Sequence, residues 1–124
     1  MIDSQDELRL RTNYPLVCRE TPDFSFAGGW FSVVDRALAR LETIAGREVA
    51  AGQEPFLVSR VYEKVGTLRV DTTSSRPDVE AIVLAAENES EKVCEKCGQP
   101  GALRDDREWL AVLCDAHAGS GEKS

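Results

Sequence analysis

The sequence predicts an α+β fold, in which a helix–β-hairpin–helix body precedes a C-terminal zinc-ribbon-like β-hairpin. Three observations lead to this prediction. Apolar residues recur at helical spacing in two segments, two runs of β-forming residues flank a short connection, and Cys and His form two close pairs near the C-terminus. With 124 residues, the chain is long enough for one domain with an apolar core, or for a small domain with a metal-stabilised extension.

The first strong element is a helix that begins near Gly29. Before it, residues 1–13 are predicted to be a loose or marginally helical N-terminal arm, and residues 21–29 a loop rich in Pro, Asp and Gly. We expect the helix to end near Gly46 and to fray towards Gly52. Its apolar face is predicted to consist of Trp30, Val34, Ala37, Leu38, Leu41, Ile44 and Ala45.

A β-hairpin and a second helix are predicted to follow. Residues 55–73 contain two runs rich in Val, Leu, Phe and Tyr around "EKVG", whose Gly can adopt a positive backbone angle. Ser75 can cap the next helix, with Pro77 in its first turn and Asp78 as an acidic capping-box residue. Helical spacing then links Val79, Ile82, Val83 and Ala86. These elements place the α+β body at residues 1–92.

The most specific pattern in the sequence is formed by Cys94, Cys97, Cys114 and His117. It reads Cys-x2-Cys, sixteen residues, then Cys-x2-His, and it contains the single His and three of the four Cys. Zinc binds thiolates and imidazoles in a tetrahedron, and a two-residue gap lets a tight turn direct both side chains of a pair at one point. We therefore predict one structural Zn²⁺ bound by these four residues.

The predicted zinc-binding ribbon occupies residues 93–118 and has few apolar residues, so its folding is expected to depend on the metal. Residues 101–104 and 108–114 are expected to be its two strands. Trp109 is expected to cover this hairpin against the helices, because a large aromatic side chain favours burial. Residues 119–124 read as a flexible tail.

Two other interpretations of the cysteines stay open, a redox Cys-x2-Cys pair and a set of buried thiols. A redox pair usually lies between a strand and a helix of a βαβ unit, and the sequence predicts no such unit. A catalytic metal is disfavoured, because four protein ligands leave no open position for water or substrate. Cys18 is distant from the motif, and we expect it to be a small buried apolar residue.

Composition and charge exclude several classes of function. The chain has 15 basic and 22 acidic residues, for a net charge of −7, which repels nucleic acid at long range. Its apolar runs are too short to span a bilayer, and its N-terminus lacks a signal-peptide pattern, so we expect a cytoplasmic protein without membrane contact. Since the lone His is assigned to the metal, Ser–His and Cys–His pairs lack a base and no catalytic residue is predicted.

"GGWF" at the start of a helix, the hairpin "VYEKVGTLRVD" and the ending "CEKCGQPGALRDDREWLAVLCDAH" together resemble a group of small bacterial and phage proteins with no assigned activity. The hairpin of that group reads roughly Lys-Glu-Lys-Phe-Gly-Gly-Leu-Arg-Phe, from which this chain departs at Tyr62, Val65, Thr67 and Val70. The resemblance covers about residues 28–118. It implies the zinc site, the α+β order and an origin in mobile genetic elements. The matching positions are Glu63, Lys64, Gly66, Leu68, Arg69, Cys94, Cys97, Gly98, Pro100, Gly101, Trp109, Cys114 and His117.

Three functions agree with these observations. The first is a non-enzymatic, zinc-stabilised protein-interaction module of phage or mobile-element origin, with an unidentified protein partner. The second is an acidic inhibitor that occludes a nucleic-acid-binding host defence or replication complex. Its phosphate mimics would be Asp78, Glu80, Glu87, Glu89 and Glu91, which also fit an ordinary solvated helix face. The third is a nucleic-acid-binding zinc ribbon in which Trp109 stacks on a base. An enzyme built from residues distant in sequence also stays open.

Overall fold

Helices and short strands form a mixed α+β fold in the computed structural model, which describes residues 2–106 and 108–122. The fold class predicted from the sequence is confirmed at this level. A 3₁₀ turn at Gly28–Trp30 leads directly into the longest helix. The elements are α1 Ser4–Asn13, β1 Asp23–Ser25, α2 Phe31–Ala50, β2 Val58–Lys64, β3 Thr67–Thr72, α3 Pro77–Ser90, β4 Ala102–Arg104, β5 Ala111–Leu113 and α4 Asp115–Glu122.

The larger sheet has the strand order β1–β2–β3, with β1 parallel to β2 and β2 antiparallel to β3. Because α2 connects the two parallel strands, β1, α2 and β2 form a βαβ unit. The predictions of a loop at residues 21–29 and of no βαβ unit are therefore wrong. At three residues, β1 is too short to show a strand pattern, and its Phe24 is paired with the distant Val61.

The predicted hairpin is confirmed, with β2 and β3 joined by a turn at Val65 and Gly66. Both turn residues have positive φ angles, 53° for Val65 and 81° for Gly66. The Glu63 carboxylate accepts a hydrogen bond from the Gly66 backbone N–H at 2.7 Å and so closes the turn. A β-branched residue rarely adopts a positive φ, so Val65 occupies a strained position.

The N-terminal segment, predicted to be a loose or marginally helical arm at residues 1–13, forms a regular helix at Ser4–Asn13. Asp3 caps α1 by accepting a hydrogen bond from the Asp6 N–H at 2.8 Å. Ile2 and Leu10 are buried in the main core, and the Ile2 N–H donates to the Phe26 carbonyl. Apolar residues are too sparse in this helix to produce a clear periodic pattern, so tertiary contacts hold it in place.

Every residue of the apolar face predicted for the first helix is buried, although Trp30 lies in the 3₁₀ turn before α2, and α2 continues past Gly46 to Ala50. Its extension keeps Glu48 at the edge of the core, where the carboxylate accepts hydrogen bonds from the Phe56 N–H at 2.9 Å and from Arg76 at 3.3 Å. These polar contacts explain why the helix extends beyond the last residue of its apolar pattern.

Helix α3 begins at Pro77, with Arg76 rather than the predicted Ser75 at the N-cap position. The Ser74 hydroxyl accepts a hydrogen bond from the Arg76 N–H at 3.1 Å. Asp78 accepts from the Arg76 guanidinium and from the Val79 N–H, so it makes no capping box.

The C-terminal segment contains a second, antiparallel pair of strands in which β4 Leu103 is opposite β5 Val112. The flexible tail predicted at 119–124 is instead helical through Glu122, as part of α4, and residues 123–124 lie outside the described residues. In the described segments of the chain, no helix is both long enough and apolar enough to cross a membrane.

Glu42 of α2 supports the turn that precedes β1. Its two carboxylate oxygens accept hydrogen bonds from the backbone N–H groups of Leu16 and Val17, at 2.9 and 3.0 Å. Val17 is fully buried and Leu16 is half-buried, so neither N–H has ready access to water as an alternative partner.

We predict that Glu42→Ala lowers the free energy of unfolding by about 2 kcal/mol, because it leaves two backbone donors without an acceptor. The measurement is urea unfolding followed by circular dichroism. Glu80→Ala removes the same charge from an exposed position on α3 and is expected to change stability by less than about 0.5 kcal/mol. Equal losses in the two variants would contradict the supporting role of Glu42.

Candidate metal centre

The first cysteine pair lies in a tight turn shortly after α3. The Gly98 N–H donates to the Cys94 carbonyl at 2.9 Å, and the Cys94 N–H donates to the Gln99 carbonyl at 2.7 Å. Gly98 has a φ of 80°, a backbone conformation that glycine adopts without steric cost. The turn therefore brings Cys94 and Cys97 to one side of the loop.

The second pair lies where β5 passes into α4. Cys114 directly follows β5, and His117 is three residues further on, in the first turn of α4, so both side chains share one helix face. Arg104 of β4 fixes this junction by donating hydrogen bonds to the Leu113 carbonyl and to Asp115, both at 3.0 Å.

The structure brings together all four residues that the sequence analysis assigned to a metal. Their ligand atoms, three Sγ and one imidazole nitrogen, lie within 4.8 Å of one another. The Nδ1 of His117 is 3.6 Å from Cys94 Sγ and 3.2 Å from Cys114 Sγ, and the Sγ atoms of Cys97 and Cys114 are 3.7 Å apart. Cys94 is buried, whereas Cys97 is exposed. This arrangement can hold a single metal ion.

Backbone groups favour the thiolate at the buried end of the cluster. Burial raises the pKa of Cys94, but hydrogen bonds from backbone groups of Cys114, Cys97 and Lys96 outweigh it and lower the pKa to about 6. At Cys97 the Gln99 N–H lowers the pKa, but desolvation and the neighbouring sulfurs of Cys94 and Cys114 outweigh it, so the pKa is raised. The positive charge of a cation between the sulfurs would offset the repulsion between neighbouring thiolates. Metal ligation therefore favours the deprotonated thiol.

Contacts with the start of α2 attach the cysteine-bearing loop to the body of the protein. The Gly29 N–H donates to the Glu95 carbonyl and the Trp30 Nε1–H donates to the Val93 carbonyl, both at 2.8 Å. Trp30 is fully buried, and β5 contributes Val112 to the same main core. The candidate metal centre is thus packed against the α+β body.

Sequence reasoning missed the role of Gly29. The loop predicted at residues 21–29 carried no expectation of a contact with the C-terminal segment, yet the backbone of the cysteine-bearing loop lies directly against Gly29. A Cβ atom added at Gly29 would overlap the carbonyl oxygen of Cys94 and lie 2.5 Å from the carbonyl oxygen of Glu95. Consecutive glycines before a buried Trp were the only signal of this close approach.

The predicted packing role of Trp109 is wrong. Its side chain is 67% exposed, in the connection between β4 and β5. Leu103 and Leu110, rather than Trp109, meet the β2–β3 turn, since a Cβ added at Gly66 would lie 2.8 Å from Leu103 Cδ1 and 3.1 Å from Leu110 Cβ. Trp109 therefore does not cover the hairpin against the helices.

Three of the five acidic residues considered as phosphate mimics form ion pairs with arginines. Asp78 pairs with Arg76 at 3.1 Å and Glu87 pairs with Arg69 at 3.8 Å. Glu89 pairs with Arg36. Among the described residues, the other two of this set, Glu80 and Glu91, form no ion pair. Much of the acidic charge of α3 thus balances arginines of the same chain.

Cys18 is separate from the metal cluster and lies in the main core, as predicted for a small buried residue. Burial, reinforced by the carboxylate of Glu42, raises the pKa of its thiol to about 12. Cys18 therefore stays protonated at neutral pH.

Comparison of the chain with protein families, with curated proteins and with solved structures finds no match. The resemblance to small bacterial and phage proteins stays a prediction. The metal cluster is thus argued from its own geometry.

We predict that the purified protein contains one equivalent of metal, measured by inductively coupled plasma mass spectrometry. Cys94→Ser or His117→Ala is expected to lower the metal content at least about tenfold, because each removes one of four ligands. Cys18→Ala, which removes a thiol outside the cluster, should leave it unchanged. Full metal retention in both ligand variants would disprove the assignment.

We also predict that Gly29→Ala destabilises the protein by about 2 kcal/mol or more, because the new methyl group forces the cysteine-bearing loop away from α2. The matched control is Gly28→Ala, where an added Cβ meets no atom within 4 Å. Thermal unfolding of both variants, with and without a chelator, is the measurement. Similar stability in the two variants would show that the loop does not dock at Gly29.

Proposed function

We propose that Cys94, Cys97, Cys114 and His117 bind one Zn²⁺, which stabilises the C-terminal segment as a zinc ribbon. Tetrahedral zinc with Zn–S bonds of about 2.3 Å and a Zn–N bond of about 2.0 Å separates its ligand atoms by about 3.5–3.8 Å. The distances of 3.6 and 3.7 Å between ligand atoms agree with this range, and the third, 3.2 Å, is slightly shorter. Three thiolates and one imidazole are typical of structural zinc sites.

We further propose that the protein is a non-enzymatic protein-interaction module. The observation that supports this function most directly is a set of exposed apolar residues where the β2–β3 turn meets β4 and the β4–β5 connection. It consists of Val65, Leu103 and Trp109, which are 60%, 45% and 67% exposed, and is called the tip surface below. Exposed aromatic residues of this kind dominate the binding energy of many protein interfaces.

Contacts between the two hairpins support a common surface. Gly66, which follows Val65, lies against Leu103 and Leu110, and Leu110 follows Trp109. The β2–β3 turn and the β4–β5 connection therefore meet at the tip surface. Zinc binding would hold β5 and α4 together and so fix the position of the β4–β5 connection.

The strained turn adds a second argument. Val65 combines a positive φ with an exposed apolar side chain, although Gly or Asn would fit the same turn with less strain. Strain of about 1–3 kcal/mol at a largely exposed residue is typical of functional positions. A contact between the Val65 side chain and a partner explains both properties.

The charges around Trp109 define the chemistry of the partner. Asp105 and Glu108 are exposed in the same connection, while the guanidinium of Arg104 donates a hydrogen bond to Asp115. The partner is therefore a protein with an apolar pocket and a basic rim, because opposite charges at the rim accelerate association. The same acidic residues oppose stacking of Trp109 on a nucleic acid, whose phosphates they would repel.

The test compares two exposed apolar residues. Zinc-loaded wild type, Trp109→Ser and Leu84→Ser are immobilised, exposed to lysate of the native host and analysed by quantitative mass spectrometry. Leu84 is 55% exposed on α3, so its variant controls for non-specific adhesion. Any protein captured through the tip surface is then purified, and its affinity is measured by isothermal titration calorimetry.

We expect a defined partner that binds wild type and Leu84→Ser equally and binds Trp109→Ser at least about tenfold more weakly. Higher salt should slow its association, since the basic rim meets acidic residues. The proposal fails if all captured proteins bind Trp109→Ser as strongly as wild type.

A further inference from the structure

A groove between α2 and α3 is distinct from both the metal centre and the tip surface. It has a volume of about 400 Å³. A smaller cavity of about 140 Å³ continues it towards the start of α2 and shares Arg40 and Ile82 with it. The larger groove is lined by Arg40, Thr43, Ile44, Arg47, Asp78, Ala81 and Ile82.

Two arginines of this groove have no intramolecular partner among residues 2–106 and 108–122. Arg40 and Arg47 are seven residues apart on α2, so they share one helix face and their Cα atoms are about 10 Å apart along the helix axis. Both side chains are exposed. The neighbouring Arg36, by contrast, pairs with Glu89 of α3.

The acidic residues at the groove are already engaged by other arginines. Both carboxylate oxygens of Asp78 accept hydrogen bonds from Arg76 at 3.1 Å, and Glu89 accepts from Arg36. The guanidinium groups of Arg40 and Arg47 are therefore uncompensated locally, although the chain carries a net charge of −7. An anion that enters the groove meets a positive local field.

The floor of the groove is apolar. Ile44 and Ile82 are buried and Ala81 lies beside them on α3. The hydroxyl of Thr43 donates to the Ala39 carbonyl at 3.1 Å, so it offers a ligand an acceptor and no free donor. A complementary ligand thus has an apolar body and carries its polar groups at the two ends.

We infer that this groove binds a small dianionic molecule, whose apolar body lies on Ile44 and Ile82 and whose acidic ends pair with Arg40 and Arg47. The volume of the groove falls within the range of about 300–1,000 Å³ that small-molecule sites occupy. Guanidinium groups bind both carboxylates and phosphates through paired hydrogen bonds, so the shared chemistry is an elongated dianion.

The first experiment is an NMR titration of zinc-loaded, ¹⁵N-labelled protein with defined probes. Suberate carries two carboxylates on an apolar chain, octanoate carries one, and 1,8-octanediol carries none. Octane-1,8-bisphosphonate is the phosphate-like counterpart of suberate, with an acidic group at each end of an apolar chain. We expect saturable shifts at the amides of Thr43, Ile44, Ala81 and Ile82 with a dianion, about tenfold weaker binding of octanoate, and no saturation with the diol.

The second experiment repeats the titration with Arg40→Gln, Arg47→Gln and the charge-matched control Lys64→Gln, which alters an exposed residue at the end of β2. Each arginine variant should weaken dianion binding about tenfold, and the control should bind like wild type. Saturable binding of suberate or of the bisphosphonate that depends on both arginines supports the site. The dianion that binds more tightly identifies the anion class, carboxylate or phosphate. The inference is overturned if neither dianion shifts the groove amides or if the arginine variants bind as tightly as wild type.

Discussion

The contact between the start of α2 and the loop that carries Cys94 determines the arrangement of the C-terminal half of the protein. Trp30 is part of the main core, and its indole N–H is bound to the Val93 carbonyl. Beside it, the absence of a side chain at Gly29 lets two backbones meet, with a hydrogen bond to Glu95. These bonds fix the cysteine-bearing loop at the start of the longest helix, whose buried face belongs to the main core. The metal cluster therefore has a defined orientation relative to the body, although β4 and β5 are each only three residues long.

Features set by local pattern could be predicted from the sequence, and features set by distant contacts could not. The apolar periodicity of α2, the hairpin around Gly66 and the paired Cys and His residues are local signals, and the structure contains all three. Strand β1 exists because it pairs with β2, more than thirty residues later, and α1 is held by a few buried residues such as Leu10. Trp109 was misjudged because size and apolarity favour burial on average, whereas its position in a short connection leaves it in solvent.

The distribution of charge is more informative than its total. A net charge of −7 suggests a uniformly acidic surface. Instead, ion pairs between α3 and arginines of α2 and β3 neutralise much of the acidic helix, as Glu89 with Arg36 and Glu87 with Arg69 illustrate. Exposed acidic residues also lie beside Trp109, and arginines without an ion-pair partner among the described residues lie between α2 and α3. The two proposed binding surfaces therefore differ in the sign of their local charge.

The parallel pairing of β1 with β2 has a consequence for synthesis of the chain on the ribosome. Phe24 cannot reach its partner Val61 until α2 and the first half of the hairpin have been made, 37 residues later in the sequence. At typical elongation rates this delay is about two to seven seconds. Throughout it, the apolar side chains of the first 26 residues have no completed core to enter. The apolar residues of the nascent N-terminus therefore stay without their strand partner until β2 has been synthesised.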